Sequence, residues 1–334
     1  MNDSAAPAPA ITGGVPSARG PAAPARRDRR RLVSLIRLAA IVALVAIAFT
    51  TPGFTAMPAV LALLTTMSFI GCVAVAMTFV TIGGNIMSLC FGATAAASSL
   101  IFIGVLQEEI GLLPAIAASL AFGAAATGLQ GFCIGYFRAN PIIVSIAALA
   151  LILGGAQLVT RGSSLYAATG GPQEVLKGRI AGVPIEFIIF VATVLIGHLL
   201  LGFTRFGRNL YMIGNSERAA EAAGVRVWRS IAGAYIVAGI FAAVPGIMLG
   251  SRYGLANMEY GIGYDYDAIA AVLVGGTAIH GGEGNVLRTF LGIVVIGVVQ
   301  VIVLLHGFRQ EWQYLITGLI VLGVIMLHTV GSDR

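Results

Sequence analysis

The groups in this chain with reactive chemistry are few, and their spacing supports no reaction. Its four histidines, His198, His280, His306 and His328, fall on separate segments and form no His-Glu-x-x-His pair. Each therefore reads as a packed or interfacial residue and not as a metal ligand. Cys72, Cys90 and Cys133 lie inside apolar runs without a Cys-x-x-Cys spacing, the pattern of inert buried thiols. Lys177 is the sole lysine, so no Gly-x-x-x-x-Gly-Lys-Ser/Thr loop exists to cradle a nucleotide phosphate. No Gly-x-Ser-x-Gly nucleophile turn occurs either. The sequence predicts no catalytic residue, no metal and no cofactor. Recognition is what remains, and it concentrates in two polar stretches, 204–229 and 253–285.

In the first stretch, Asn215 or Ser216 can cap a short helix, and Glu217 places a negative charge at its positive end. Arg218-Ala-Ala-Glu-Ala-Ala223 are mostly strong helix formers, and Gly224 is a natural stop. A small capped helix on a basic loop between two apolar segments predicts a soluble partner that pushes against it. In the second stretch Asp265 and Asp267 open a short span at its outer end. Asp267 is expected to cap that helix at the interface, because a carboxylate at the bilayer centre would cost ~2.5–3.5 kcal/mol. Gly275-Gly276-Thr277 and Gly281-Gly282-Glu283-Gly284 let backbone segments cross closely and turn sharply. Another irregular place, Thr81 to Cys90, holds Gly83, Gly84 and Asn85; it is either a break at membrane depth or a tight hairpin.

The elements that carry these stretches are membrane spans. The chain is 58% hydrophobic and 10% charged, with a mean hydropathy of +0.94, and cannot cover a water-facing surface. The expected fold is all-α and polytopic, with ten spans near 32–51, 57–80, 86–106, 112–137, 141–160, 184–203, 230–250, 266–281, 286–305 and 311–330. With a cytoplasmic N-terminus, fifteen Lys/Arg fall on the cytoplasmic side, Arg138, Arg205, Arg208, Arg218 and Arg288 among them. Only Arg161, Lys177, Arg179, Arg252 and Arg309 fall outside. That asymmetry places both termini and the 204–229 loop in the cytoplasm. It also argues against nucleic acid, since the basic residues sit beside spans. Residues 1–31 are expected to be a disordered Ala/Pro-rich tail, whose basic run Arg26–Arg31 orients the first span and touches anionic lipid. Residues 32–330 form a single transmembrane domain. Charged residues inside the spans are too few for an obvious proton relay.

The chain resembles the permease subunits of bacterial ATP-binding-cassette importers for ribose, xylose, galactose and similar sugars, a group related to branched-chain amino-acid permeases. The resemblance rests on Gly207-Arg208-Asn-Leu-Tyr211-Met-Ile-Gly214-Asn215 followed by Ala219-Ala220-Glu-Ala-Ala-Gly224. It rests also on Tyr264-Asp-Tyr-Asp267 running to Gly275-Gly276-Thr277 and Gly281-Gly282-Glu-Gly284, and on Asn140-Pro141-Ile-Ile-Val144 leading to Thr160-Arg161-Gly162. One departure stands out: where the family often has Gly-Gly-Ile-Asp-Leu-Ser, this chain has Gly83-Gly84-Asn85-Ile86-Met87-Ser88. The carboxylate is missing, and Asn85 offers an amide one position earlier.

The resemblance implies a pore of two permease copies as a homodimer, cytoplasmic ATPase subunits beneath it, and a periplasmic sugar-binding protein that delivers the solute. The helix at 215–224 becomes the ATPase-coupling helix, with Glu217, Arg218 and Glu221 as rim contacts and Ala219, Ala220 and Ala223 in close apposition. A neutral, hydroxyl-rich cargo needs hydrogen-bonding side chains along its pathway; Asn85, Ser88, Ser145 and Gln157 are the candidates, each equally able to satisfy a neighbouring helix backbone. On the outer face Glu174, Lys177, Arg252, Glu259 and Asp265 could pair with charges on the delivery protein. Two alternatives stay open: the same machinery carrying an amino acid or another small polar solute, and a self-sufficient secondary transporter or channel.

Overall fold

The computed structural model describes residues 50–332 together with 46 and 48, without 86 and 169. The tail 1–31, nearly all of the expected span 32–51 and Arg334 lie outside the described residues. The described residues are mostly helical: α1 Met57–Ile82, α2 Phe91–Gln107, α3 Leu112–Phe137, α4 Pro141–Thr160, α5 Ile185–Phe203, α6 Arg205–Asn215, α7 Glu217–Ala222, α8 Val227–Tyr253, α9 Tyr264–Gly275, α10 Val286–Leu305 and α11 Gln310–Ser332. Among the described residues, six helices (α1, α3, α4, α5, α8 and α10) are long and apolar enough to cross a membrane. Two expected spans are shorter than anticipated. The one at 86–106 begins only at Phe91 and makes a helix of 17 residues, ~25 Å long. The one at 266–281 ends at Gly275, because Gly276 turns the chain into the left-handed region at φ 87°.

The core is built around α1 and α8. Eighteen residues of α1 are buried, and α8 packs along α1, α2 and α3. The α3–α8 crossing is close because it is made of small residues: a Cβ on Gly123 would overlap the Gly239 carbonyl, and Thr127 Oγ1 donates to the Tyr235 carbonyl at 2.7 Å. Small residues that let backbones approach are how helices associate where both helix and lipid are apolar. In contrast α4 buries only Ser145 of its twenty residues.

Helices α1 to α5 and α8 to α11 alternate in direction, so the connections sort to two ends. One, the α7 end, gathers 83–90, 138–140, 204–226 and 276–285. The opposite, far end is covered by a small folded cap. There β1 (Leu165–Tyr166) pairs antiparallel with β4 (Leu255–Ala256), and β2 (Arg179–Ile180) pairs with β3 (Val183–Pro184). The β2–β3 turn is Ala181-Gly182 at φ 52° and 83°, the pair of positive values that a type I′ hairpin turn demands. A 3-10 helix, Pro172–Lys177, docks on α8 where Ser251 Oγ donates to the Gln173 carbonyl. The described residues of 161–183 thus form a small folded cap.

Candidate functional site: a glycine junction beneath a short exposed helix

The stretch expected to carry one helix carries two. Thr204 starts α6, its Oγ1 accepting from Gly207 N at 3.1 Å. Gly207 lies so close to the Leu201 carbonyl that a Cβ would overlap it, which allows the sharp turn out of α5. Gly207, Leu210 and Ile213 are buried while Arg205, Arg208 and Met212 are exposed; α6 is an amphipathic helix lying across the α7 end. A single residue then separates it from α7. Ser216 N still donates to the Met212 carbonyl at 3.0 Å, and Ser216 Oγ accepts from Ala219 N at 3.3 Å. Ser216 therefore ends one helix and caps the next. Glu217 occupies the first turn of α7, and Gly224 at φ 80° turns the chain away after it.

Of the two cap candidates the structure uses Ser216, and one contact expectation is corrected. Asn215 is not a cap; it is the last residue of α6, and its Nδ2 donates to the carbonyls of Tyr211 (2.8 Å) and Gly282 (3.3 Å). Ala220 is fully buried against its own chain and cannot touch a docked partner, whereas Ala219, Ala223 and Gly224 are exposed. The carboxylates are exposed but not free. Arg138, which closes α3 in the left-handed conformation, stands 2.8 Å from Glu221 and 3.7 Å from Glu217. It offsets the repulsion of two like charges one helical turn apart. Arg218 is exposed and enters no ion pair within the described residues.

Beneath α7 three segments meet with their backbones in direct contact. Gly282 N donates to the Ile82 carbonyl at the end of α1, at 3.0 Å. A Cβ on Gly214 would overlap both that carbonyl and Gly282 N; one on Gly281 would overlap the Gly84 Cα. Tyr211 Oη donates to the Gly284 carbonyl at 2.8 Å. Burial raises the Tyr211 pKa above its ordinary value, partly countered by the Arg288 charge, so the phenol keeps its proton for this bond. Asn285 then caps α10, accepting from Leu287 N at 3.0 Å, with His198 Nδ1 3.3 Å from the same oxygen. The exposed α7 is in this way joined to the end of α1 and the start of α10.

From the junction, the described residues of the 83–90 connection run inward alongside α3. Ser88 Oγ lies 3.3 Å from Cys90 Sγ, which contacts Gln130 of α3, seven residues or ~10 Å up that helix from its end. Both oxygens of Asp265 accept from Gly92 N, at 3.1 and 3.2 Å, capping α2 from the start of α9. Irregular backbone at such depth survives because protein surrounds it.

The four pathway candidates do not assemble. Asn85 and Ser88 share this buried break, and the Asn85 side-chain nitrogen has no hydrogen-bond partner among the described residues. Ser145 donates to its own helix at the Ile142 carbonyl, 2.9 Å, and Gln157 is exposed near the far end of α4.

Of the outer-face set, Glu174, Lys177 and Glu259 stand exposed at the far end. Arg252 is instead committed to the buried Glu186 at 2.8 Å, and Asp265 to Gly92. Asp267 is not an interfacial cap. Gly263 precedes the helix without a side-chain cap, and Asp267 is buried, accepting from Gln300 Nε2 at 2.7 Å and Thr317 Oγ1 at 3.2 Å. Partners on α10 and α11 offset the desolvation that had argued against burial.

Residues 59–325 match the family model of the branched-chain amino acid transport system / permease component. The chain belongs to this permease family. It is 30% identical over 283 residues to the ribose import permease protein RbsC of Bacillus subtilis, covering 84% of this chain and 88% of that one. It is also 30% identical over 272 residues to the autoinducer 2 import system permease protein LsrD of Escherichia coli K12, covering 79% and 82%. No solved structure matches it. The permease is a multi-pass inner-membrane protein.

Sequence reasoning missed α6, the dual role of Ser216, the Asp267–Gln300–Thr317 contact and the meeting of the glycine clusters. A signal for α6 existed in the apolar spacing of Gly207, Leu210 and Ile213, but it merges with the span before it. Nothing local could pair Asp267 with residues 33 and 50 positions away.

Proposed function

We propose that this permease is the membrane-spanning subunit of an ATP-driven importer, moving a monosaccharide delivered by a periplasmic binding protein across the inner membrane. ATP is hydrolysed by separate cytoplasmic subunits, and a second copy of this chain completes the pore. Ten spans cross the bilayer with both termini and the α7 end in the cytoplasm, residues 1–31 forming a tail and 32–330 one domain. The Lys/Arg asymmetry supports that orientation. Relatives named for ribose and autoinducer 2 import support a small polar cargo, and the scarcity of fixed charge in the spans favours a neutral sugar.

The observation that carries this reading is the join between an exposed α7 and the ends of α1 and α10, through Gly214, Asn215 and Gly282. A docked ATPase that shifts α7 must shift those helices as rigid bodies. Ser216, Glu217, Arg218, Ala219, Glu221, Ala223 and Gly224 form the docking face, while Ala220 seats it. Asn85 and Ser88 line the pathway, and Glu174, Lys177 and Glu259 meet the binding protein.

The test is uptake of labelled ribose, xylose and galactose by proteoliposomes holding the permease, its ATPase subunits and its binding protein. Ala219→Glu should abolish ATP-driven uptake without lowering the melting temperature. Ala220→Glu should lower both, since ~1–3 kcal/mol of overpacking falls on a filled site. Uptake by the purified permease alone, without ATP, would overturn the reading.

A further inference from the structure

The far end holds a cavity of about 300 Å³ walled by α1, α9, α10 and α11 and by the end of α8. This is the lower end of the ~300–1,000 Å³ range of small-molecule sites. Its ionic groups are already engaged inside the protein: Asp267 by Gln300 and Thr317, Arg252 by Glu186. The hydroxyls of Thr66 and Tyr264 and the amide of Gln313 line the same space and donate or accept no side-chain hydrogen bond among the described residues. Tyr253 and Tyr314 add aromatic lining. Paired charges, unpaired neutral donors and acceptors, and aromatic walls suit a neutral solute with several hydroxyls and apolar C–H faces; a charged solute would find no free counter-charge. A second crevice, between α4 and α2–α3, is larger at about 770 Å³, but its walls are almost wholly aliphatic and offer such a solute almost nothing.

The geometry points to the polar cavity as a holding site for one monosaccharide-sized, uncharged polyol on its way through the permease. This rests on the importer reading above and adds a station to it. The walls support the assignment. Thr66 lies sixteen residues, ~24 Å, along α1 from Ile82, and Ile82 is gripped by Gly282 in the junction. Gln300 lies on α10, whose start at Asn285 follows the same junction. Both helices that the exposed α7 would move are therefore cavity walls, so displacement at one end changes the shape of the space at the other. Gln313 and Thr66 hold the solute's hydroxyls; Asp267 and Gln300 are positioning residues that fix α9, α10 and α11 around it.

The experiment uses the full importer in proteoliposomes, with labelled D-ribose, D-xylose and D-galactose as probes. Gln313→Leu and Thr66→Val should each lower ATP-driven uptake about five- to tenfold, the loss of one hydrogen bond, with ATP hydrolysis stimulated by the loaded binding protein kept within about twofold. Gln313→Asn should recover part of the uptake. Unchanged uptake in both variants overturns the cavity assignment and leaves the importer reading standing. Parallel loss of uptake and stimulated hydrolysis assigns these side chains a structural role and overturns it too. Failure of the unaltered importer to carry any of the three sugars overturns the sugar reading, and the holding site with it.

Discussion

The two ends of this permease are held together in opposite ways. At the α7 end, Gly84, Gly214, Gly281 and Gly282 bring three segments into direct main-chain contact, fastened further by Asn215 Nδ2 to the Gly282 carbonyl and Tyr211 Oη to the Gly284 carbonyl. At the far end the helices are joined by side chains: Arg252 to Glu186, Ser251 to Gln173, and Gln300 and Thr317 to Asp267. Main-chain contact leaves no gap and little freedom to yield, so it passes a displacement on nearly undiminished. Side-chain contact leaves space between helices, and that space is where solute chemistry can reside. On the reading proposed above, one end is pushed and the other receives.

The largest effect should come from Gly214→Val. Its side chain would overlap the Ile82 carbonyl and Gly282 N, where overpacking costs about 1–3 kcal/mol or more, and ATP-driven uptake should fall to background. Uptake near the original level would break the comparison at its stronger side. Next is Glu186→Leu, which leaves the Arg252 guanidinium without its partner. Removing one member of a buried pair costs ~3–5 kcal/mol, and the partial exposure of Arg252 reduces this to about 2. A lowered melting temperature with residual uptake is expected, because this contact ties the far ends of α5 and α8 and not the glycine junction. Tyr211→Phe removes one bond to the Gly284 carbonyl, worth about 1 kcal/mol. Coupling of uptake to hydrolysis should weaken more than thermal stability does. The smallest effect belongs to Arg138→Ala. Its bridges to Glu221 and Glu217 are exposed and worth ~0–1 kcal/mol, so melting in low salt should shift slightly and in high salt not at all. A large loss there would mean that α7 is held by charge and not by Gly214 and Ala220.

Much of the helical frame was legible because it depends on local rules. Runs of apolar residues give the long spans; Asn140 caps α4, accepting from Ile142 N at 2.9 Å; Gly224 stops α7 and Gly276 stops α9. The interior face of α7 was not legible, because six residues are too few to show a periodicity. Burial of Ala220 is set by what its own chain packs against it. Glycine clusters at 83–84, 214 and 281–282 announce close approach somewhere, but not that they approach one another. Asp265 and Asp267 show the limit most plainly. A carboxylate in the first turn of a helix looks locally like a dipole partner. Distant partners decide otherwise, Gly92 for the first and Gln300 with Thr317 for the second.

A helix of which only Ser145 is buried has little in its own chain to hold its tilt. Helix α4 is therefore set by whatever lies outside it, and a thinner or thicker bilayer leans it before any other span, at fractions of a kcal/mol per ångström of mismatch. Transport measured in lipids of graded acyl length would carry that lean as a dependence on membrane thickness.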